Sequence, residues 1–213
     1  GNFDDDTLDT EGVYSSCGNL GSKSAVAIDS EGNPYVALTY STTNTIYYSK
    51  FEEEAWTATE IDTGASPTSI VMDIDSDDNV HVVYSISSSG TYYLLYYSSS
   101  NPSSVYEITN GTSSFSYLSL AIDSEDTLHV AYLDNSSREL MYATGTGSSW
   151  SVETADDSSA YIGYQCSIDT DSNNKAHISY YDVTNKKLKY ATNANGSWSD
   201  DQESVDSSSS NIG

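Results

Sequence analysis

The chain has 213 residues, with 32 acidic and 7 basic side chains and a formal charge of −25. A surface this negative repels phosphate backbones and anionic lipid headgroups, which excludes nucleic acid and membrane surfaces as partners. No apolar run approaches the roughly 20 residues of a membrane-crossing helix, so no membrane insertion is expected.

The composition favours strands joined by tight turns. Tyr, Thr, Val and Ile suit a pleated surface, whereas Ser, Asn, Asp and Gly suit turns. No window shows sustained helical periodicity. One pattern occurs four times: IDSEGNPYVAL from Ile28, IDSDDNVHVVY from Ile74, IDSEDTLHVAY from Ile122 and TDSNNKAHISY from Thr170. Anchored on Tyr35, His81, His129 and His177, the copies are 46, 48 and 48 residues apart. Repeats of about 47 residues built from short strands mark propeller blades. The expected fold is all-β, a β-propeller of four four-stranded antiparallel blades with an extra N-terminal strand.

Residues 1–23 precede the first repeat as an extension. Glu11 lies 13 residues before Ser24, as Glu153 lies 13 before Cys166. The segment Thr7, Leu8, Asp9, Thr10 and Glu11 therefore reads as a spare outermost strand. Residues 24–205 form the blades. Blade 1 is expected as Ser24–Asp29, Tyr35–Tyr40, Thr45–Lys50 and Trp56–Ile61. Its first strand alternates Ser24, Val26, Ile28 against Ala25, Ala27, Asp29, giving two different faces. Blade 2 follows as Ile70–Asp75, His81–Ile86, Tyr93–Ser98 and Val105–Thr109. Blade 3 is Leu118–Asp123, His129–Asp134, Leu140–Thr144 and Trp150–Thr154. Blade 4 is Cys166–Asp171, His177–Asp182, Leu188–Thr192 and Trp198–Glu203. Third strands share a pattern: Ile46-Tyr47-Tyr48-Ser49, Leu95-Tyr96-Tyr97-Ser98, Leu140-Met141-Tyr142-Ala143, Leu188-Lys189-Tyr190-Ala191. Fourth strands open on Trp56, Trp150 and Trp198, which are expected to pack one blade on the next. Residues 206–213 read as a linker. With no initiator Met and no signal peptide, the chain reads as processed or excised from a longer array.

Several side chains carry candidate chemistry. Asp29, Asp75, Asp123 and Asp171 recur in every blade, which suits turn caps rather than a unique catalytic residue. No catalytic residue is assigned. His81, His129 and His177 share one blade position with Tyr35, so they read as packing groups rather than zinc ligands. Clustered oxygens at Asp73, Asp75, Asp77 and Asp78, and at Asp169 and Asp171, make calcium the candidate cofactor. Cys17 and Cys166 could close the two ends of the chain as a disulfide in an oxidising compartment. Asn110, Asn135 and Asn195 sit in glycosylation sequons in expected loops. Tyr92, Tyr93, Tyr161 and Tyr164 are aromatic material for a glycan site.

The inner strand ending in Asp-Ser, then His-Val-Ala-Tyr or His-Ile-Ser-Tyr, Leu-Lys-Tyr-Ala and Ser-Trp resembles repeats of secreted bacterial and archaeal β-propeller proteins. These are loosely of the Asp-box (BNR, sialidase-like) type, and the resemblance covers about residues 24–205. That family includes adhesins, surface proteins, lectin-like modules and enzymes. A sialidase site grips its substrate carboxylate with several arginines, and this chain has Arg138 alone. The first expectation is therefore a non-enzymatic, structural or adhesive module at the cell surface or outside the cell. Its partner is another copy, reached by strand addition of the terminal segments. The alternative is a carbohydrate-binding propeller with glycan partners; a glycoside hydrolase comes third.

Overall fold

The computed structural model describes residues 20–40, 43–64, 67–158, 161–198 and 202–205. All sixteen regular elements there are strands. Blade 1 consists of β1 (Leu20–Ile28), β2 (Pro34–Tyr40), β3 (Thr45–Glu52) and β4 (Ala55–Thr63). Blade 2 is β5 (Ser69–Ile74), β6 (Val80–Ser88), β7 (Thr91–Ser98) and β8 (Val105–Gly111). Blade 3 is β9 (Phe115–Ile122), β10 (Leu128–Asp134), β11 (Glu139–Thr146) and β12 (Ser149–Asp156). Blade 4 is β13 (Tyr164–Thr170), β14 (Ala176–Asp182), β15 (Lys187–Thr192) and β16 (Gln202–Ser204). Each blade is one antiparallel sheet in chain order, as short hairpin connections impose. The fold is the four-bladed β-propeller that the repeats predict.

Most strand bounds shift by one to three residues from expectation, and two shift by four. β1 starts at Leu20 rather than Ser24, and the described part of β16 is Gln202–Ser204, with Trp198 outside it and residues 199–201 outside the described residues. Residues 1–19 and 206–213 lie outside the described residues, and with them the expected strand Thr7–Glu11.

The third strand of blade 2 is framed one residue differently from the sequence pattern. Val83 lies opposite Tyr96, as Ala37 lies opposite Tyr48, Ala131 opposite Tyr142 and Ser179 opposite Tyr190. Tyr96, not Tyr97, is thus the equivalent tyrosine. The doublets Leu94-Leu95 and Tyr96-Tyr97 satisfy the pattern in either frame, and a one-residue step exchanges the two faces of a strand.

Alternation gives each blade a forward face toward the next blade and a rear face toward the previous one. Ala37 and Ile46 of blade 1 meet Met72, Val82 and Tyr84 of blade 2. Val83 and Leu94 of blade 2 meet Leu118, Val130 and Tyr132 of blade 3. Ala131, Leu140 and Tyr142 of blade 3 meet Ile168, Ile178 and Tyr180 of blade 4. Burying a large apolar side chain contributes roughly 1.5–3 kcal/mol, so these three cores hold the arrangement together. Two tyrosines also reach back to a carboxylate on the outer strand of the previous blade. Tyr84 donates to Asp62 at 2.9 Å, and Tyr180 donates to Asp156, which Lys189 also contacts.

The tryptophans bear out their expected role in two blades. The Trp150 ring of blade 3 lies 5.2 Å from Tyr96 of blade 2, edge to face. Trp198 of blade 4 lies 4.8 Å from Tyr142 of blade 3. Trp56 of blade 1 instead packs on Phe51 of its own blade, at 5.1 Å.

The inner strands pack in sequence, β1 on β5, β5 on β9 and β9 on β13. The outward faces of blades 1 and 4 are not covered in the same way: Val26 and Ile28 are 66% and 65% exposed, and Leu188 is 37% exposed.

Trp198 is buried at a blade junction and Trp56 is not, so the two should respond differently to truncation. Trp198→Ala is expected to lower the unfolding free energy by about 3 kcal/mol, and Trp56→Ala by less than about 1 kcal/mol. Urea denaturation of the two variants against the parent chain checks both values.

Candidate functional site

The site is built from the hairpin between the first two strands of each blade. The aspartate ending the first strand accepts two backbone N–H groups of its own turn with one oxygen. Asp29 takes those of Glu31 at 3.1 Å and Asn33 at 2.8 Å. Asp75 takes those of Asp77 at 3.0 Å and Asn79 at 2.7 Å. Asp123 takes Glu125 and Thr127, both at 2.9 Å, and Asp171 takes Asn173 at 2.8 Å and Lys175 at 2.9 Å. This is the local carboxylate capping that short Asp side chains favour.

The second carboxylate oxygen faces the histidine of the next strand. Nε2 lies 2.8 Å from Asp75 at His81, 3.1 Å from Asp123 at His129 and 3.5 Å from Asp171 at His177. A carboxylate only accepts, so Nε2 carries the hydrogen in the two close pairs. Nδ1 then meets the tyrosine hydroxyl of the third strand: Tyr96 at 2.7 Å, Tyr142 at 2.7 Å and Tyr190 at 2.5 Å. Blade 1 has Tyr35 in place of histidine, and Lys50 stands beside the carboxylate there. Its ammonium lies 3.5 Å from Asp29 and 5.5 Å above the Tyr35 ring.

Burial works against the charges of Asp75 and Asp123. Hydrogen bonds from His81 and Asn79 reverse it at Asp75, and those from His129, Thr127 and Glu125 at Asp123, so both carboxyls sit below the usual carboxylate range. The turn amide of Lys175 leads the same downward shift at Asp171.

A second set of bonds runs between blades. Ser30 donates its amide and hydroxyl to the two oxygens of Asp78, at 2.8 and 2.7 Å. Ser76 does the same to Asp126, at 3.0 and 2.8 Å, and the Ser124 hydroxyl donates to Asn174 at 2.7 Å. Asp78, Asp126 and Asn174 have φ values of 61°, 59° and 60°, a left-handed conformation that Asp and Asn tolerate better than most residues. Blade 1 has Gly32 there, at φ 89°.

Between blades 2 and 3, these turns frame a pocket of about 390 Å³. Asp75, Asp77, Glu125 and Asp126 stand around it, with Ser98, Ser100, Asn101, Tyr96 and Tyr106 forming its wall. Asn101 donates to the Tyr106 hydroxyl at 2.5 Å, and Trp150 packs on Tyr96 beside it.

No family model and no curated protein sequence matches the chain. Solved structures do. A Hadza microbial sialidase, Hz136, aligns with a TM-score of 0.53 at 12% identity, over 87% of this chain and 45% of that one. AofleA from Arthrobotrys oligospora aligns at 0.52 and 13% identity, over 85% and 56%. A protein of unknown function from Dyadobacter fermentans aligns at 0.56 and 8% identity, over 83% and 61%. The fold is that of a sialidase-like propeller. The chain spans about half the length of these structures.

The remaining predicted residues fall at separate places on the propeller. The calcium candidates do not assemble: Asp75 and Asp171 cap their turns, and Asp78 holds Ser30. Asp73 and Asp169 each accept the next residue's amide, at 2.9 and 2.8 Å. Burial chiefly, with Asp169 nearby, raises the Asp73 carboxyl. Among the described residues no His, Cys, Asp or Glu group is arranged to hold a metal ion. Alternation and turn capping aim these oxygens at different partners. The expected disulfide is not seen: Cys166 is a free, buried thiol in the core between blades 3 and 4, 2.7 Å from the Tyr117 carbonyl. Burial pushes it up to about 12, and Cys17 lies outside the described residues. Asn110 and Asn195 are exposed. The Asn135 amide is engaged with Ser114 and Ser116. Tyr161 and Tyr164 meet at 5.0 Å, with Tyr117 4.8 Å from Tyr164 and Arg138 over Tyr161. Tyr92 packs at the core between blades 2 and 3. The seryl bonds between blades and the pocket were missed. The recurring Asp-Ser dipeptide was their signal.

The capping carboxylates predict acid sensitivity. A carboxyl whose folded pKa is depressed contributes stability that is complete above its unfolded pKa, near 4, and lost as pH falls through the folded value. The urea midpoint is expected to hold at neutral pH and to drop below about pH 4. Asp123→Asn should lower the midpoint at neutral pH and make the acid drop shallower. Urea titrations across the pH series check both, and an unchanged acid drop in the variant would contradict the capping role.

Proposed function

We propose that this propeller is a non-enzymatic adhesive module that works outside the cell and holds neutral carbohydrate in the pocket between blades 2 and 3. The pocket itself carries the reading. At about 390 Å³ it has the size of a small-ligand site. Its wall offers hydroxyls from Ser98 and Ser100, an amide from Asn101 and the phenol of Tyr106. Sugar hydroxyls both donate and accept, so they suit such a mixed lining, and an aromatic ring suits the apolar face of a pyranose.

The charge selects the class of sugar. Four carboxylates stand around the pocket, and among the described residues no lysine or arginine lines it. Anionic sugars are repelled, whereas neutral hydroxyls can donate to carboxylates. Arg138, the residue a sialidase site would need in several copies, lies over Tyr161 at the opposite end of the blades. The likeness to a solved sialidase supports carbohydrate as the general substrate class by fold analogy only.

Two observations support binding without turnover. A glycosidase needs a carboxyl kept protonated as its general acid. Asp75 is held the other way, below the usual range, and both Asp126 oxygens accept hydrogen bonds from Ser76. An acidic, well-hydrated surface fits the extracellular setting in which polymeric sugars are met.

The chain is expected to bind neutral oligosaccharides on a glycan array and to bind acidic ones weakly. Binding should perturb Trp150 fluorescence, since its ring sits against Tyr96 at the pocket edge. Tyr106→Phe and Asn101→Ala should each weaken binding about tenfold without changing the urea midpoint. No retention of any neutral glycan would overturn the reading. Release of reducing sugar, abolished by substituting one pocket carboxylate, would replace it with a hydrolase.

A further inference from the structure

Each internal blade junction is the same interface used three times. A forward face of aliphatic residues and a tyrosine receives a rear face of aliphatic residues and a tyrosine, and at the two junctions that follow blades 2 and 3 a tryptophan is added. The described structure holds one more face of each kind without such a partner.

The spare rear face is on blade 1. Val26 is 66% exposed, whereas Met72 and Ile168 at the same strand position are 7% and 6% exposed. Ile28 is 65% exposed. The half-buried Val36 and Ala58 extend the apolar surface behind them, around the buried Leu38, and Trp56 lies at its end beside Phe51.

The spare forward face is on blade 4. Leu188 is 37% exposed, whereas Ile46, Leu94 and Leu140 at its position are each fully buried. Tyr190 pairs with His177 as in the other blades, yet its ring receives no tryptophan. Tyr96 and Tyr142 are covered by Trp150 and Trp198. The His177 side chain is 31% exposed against 6% and 5% for His81 and His129. A hollow of about 190 Å³ is left over it, lined by Ser167, Asp169, His177, Ser179 and Tyr190.

We propose that these two faces are partners in different copies of the chain. Blade 1 of one molecule docks on blade 4 of the next, with Trp56 entering the hollow above Tyr190. The contact continues an interface that the molecule already makes three times internally. It is heterologous, so it closes into a ring or runs on as a filament according to the rotation at each step. One internal feature is missing from it. The seryl bond has no acceptor, because Gly32 stands where Asp78, Asp126 and Asn174 accept in the other blades. Ser167, Asp169 and Ser179 also make the blade 4 face more polar than its equivalents. The junction is therefore weaker than those within the chain, and assembly depends on concentration. This inference does not rest on the carbohydrate reading, and its test uses no glycan.

Sedimentation velocity and light scattering of the full chain, over a concentration series at moderate salt, test it. The weight-average mass is expected to rise with concentration to about twofold the monomer or more. Val26→Glu with Ile28→Glu removes the rear face, and Leu188→Glu removes the forward face. All three positions are exposed, so the variants should keep the parent's circular dichroism and urea midpoint. Each variant alone should stay monomeric. Mixed in equal amounts, they should form a dimer and stop, because one intact junction remains. A parent chain that stays monomeric throughout would overturn the proposal. So would a variant that still dimerises alone, since that points to a symmetric contact through one face.

Discussion

A carboxylate drawn under the end of a strand must keep its hydrogen bonds, and each blade is arranged around meeting that demand. One oxygen of Asp75 or Asp123 closes the turn through two amides, and the other reaches an imidazole on the returning strand. The imidazole in turn orients a tyrosine hydroxyl on the third strand. That tyrosine presents its ring to the tryptophan of the next blade. Polar satisfaction inside one blade thus aims the aromatic contact that binds the following blade. A buried polar chain of this kind costs several kcal/mol if any member is lost, which makes it a strong specifier of geometry. Blade 1 meets the same demand with different chemistry, since Lys50 neutralises Asp29 and stacks near Tyr35. The site requires a flat ring and a hydrogen-bonding cation or donor near the carboxylate, not a histidine as such.

Much of this was legible in the sequence because a repeat displays its own constraints. The aspartate and the ring position recur at fixed spacing, so fold, blade count and turn capping could be read directly. What could not be read depends on neighbours that are distant in the chain. The frame of β7 was ambiguous because Leu94-Leu95-Tyr96-Tyr97 looks alike one residue apart, and only pairing with Val83 resolves it. The Ser76–Asp126 bond joins residues from two turns, and each residue alone passes for ordinary turn composition. The pocket is made by the spacing of blades 2 and 3, which no local pattern encodes. The acidic runs at Asp73–Asp78 suggested a cation because clustering in sequence resembles clustering in space. Strand alternation and left-handed turn residues send those oxygens to different partners instead.

The charge of the molecule is not spread evenly through its logic. Acidic side chains gather where the inner hairpins turn, and that end also carries the pocket. The internal blade faces bury clusters of aliphatic and aromatic side chains between the sheets. One end is thus suited to water and polar ligands, and the faces are suited to association. A glycan bound at the turn end would leave the outward faces of blades 1 and 4 accessible.

That separation bears on how weak contacts could serve adhesion. A shallow, polar pocket with solvated walls binds a single sugar weakly, since each hydrogen bond replaces one to water. Copies joined through their blade faces would hold many such pockets at fixed spacing. Each further binding event then becomes effectively intramolecular, and avidity rises without any new contact at the pocket. The opposing term is repulsion between molecules of charge −25. Salt shortens the range of that repulsion to about 8 Å at physiological ionic strength. The apolar contact proposed for Val26 and Ile28 with a neighbouring copy would act within that distance. If the proposed junction forms, the acidic composition would make assembly conditional on ionic strength, keeping dilute, low-salt molecules apart while permitting contact where screening is strong.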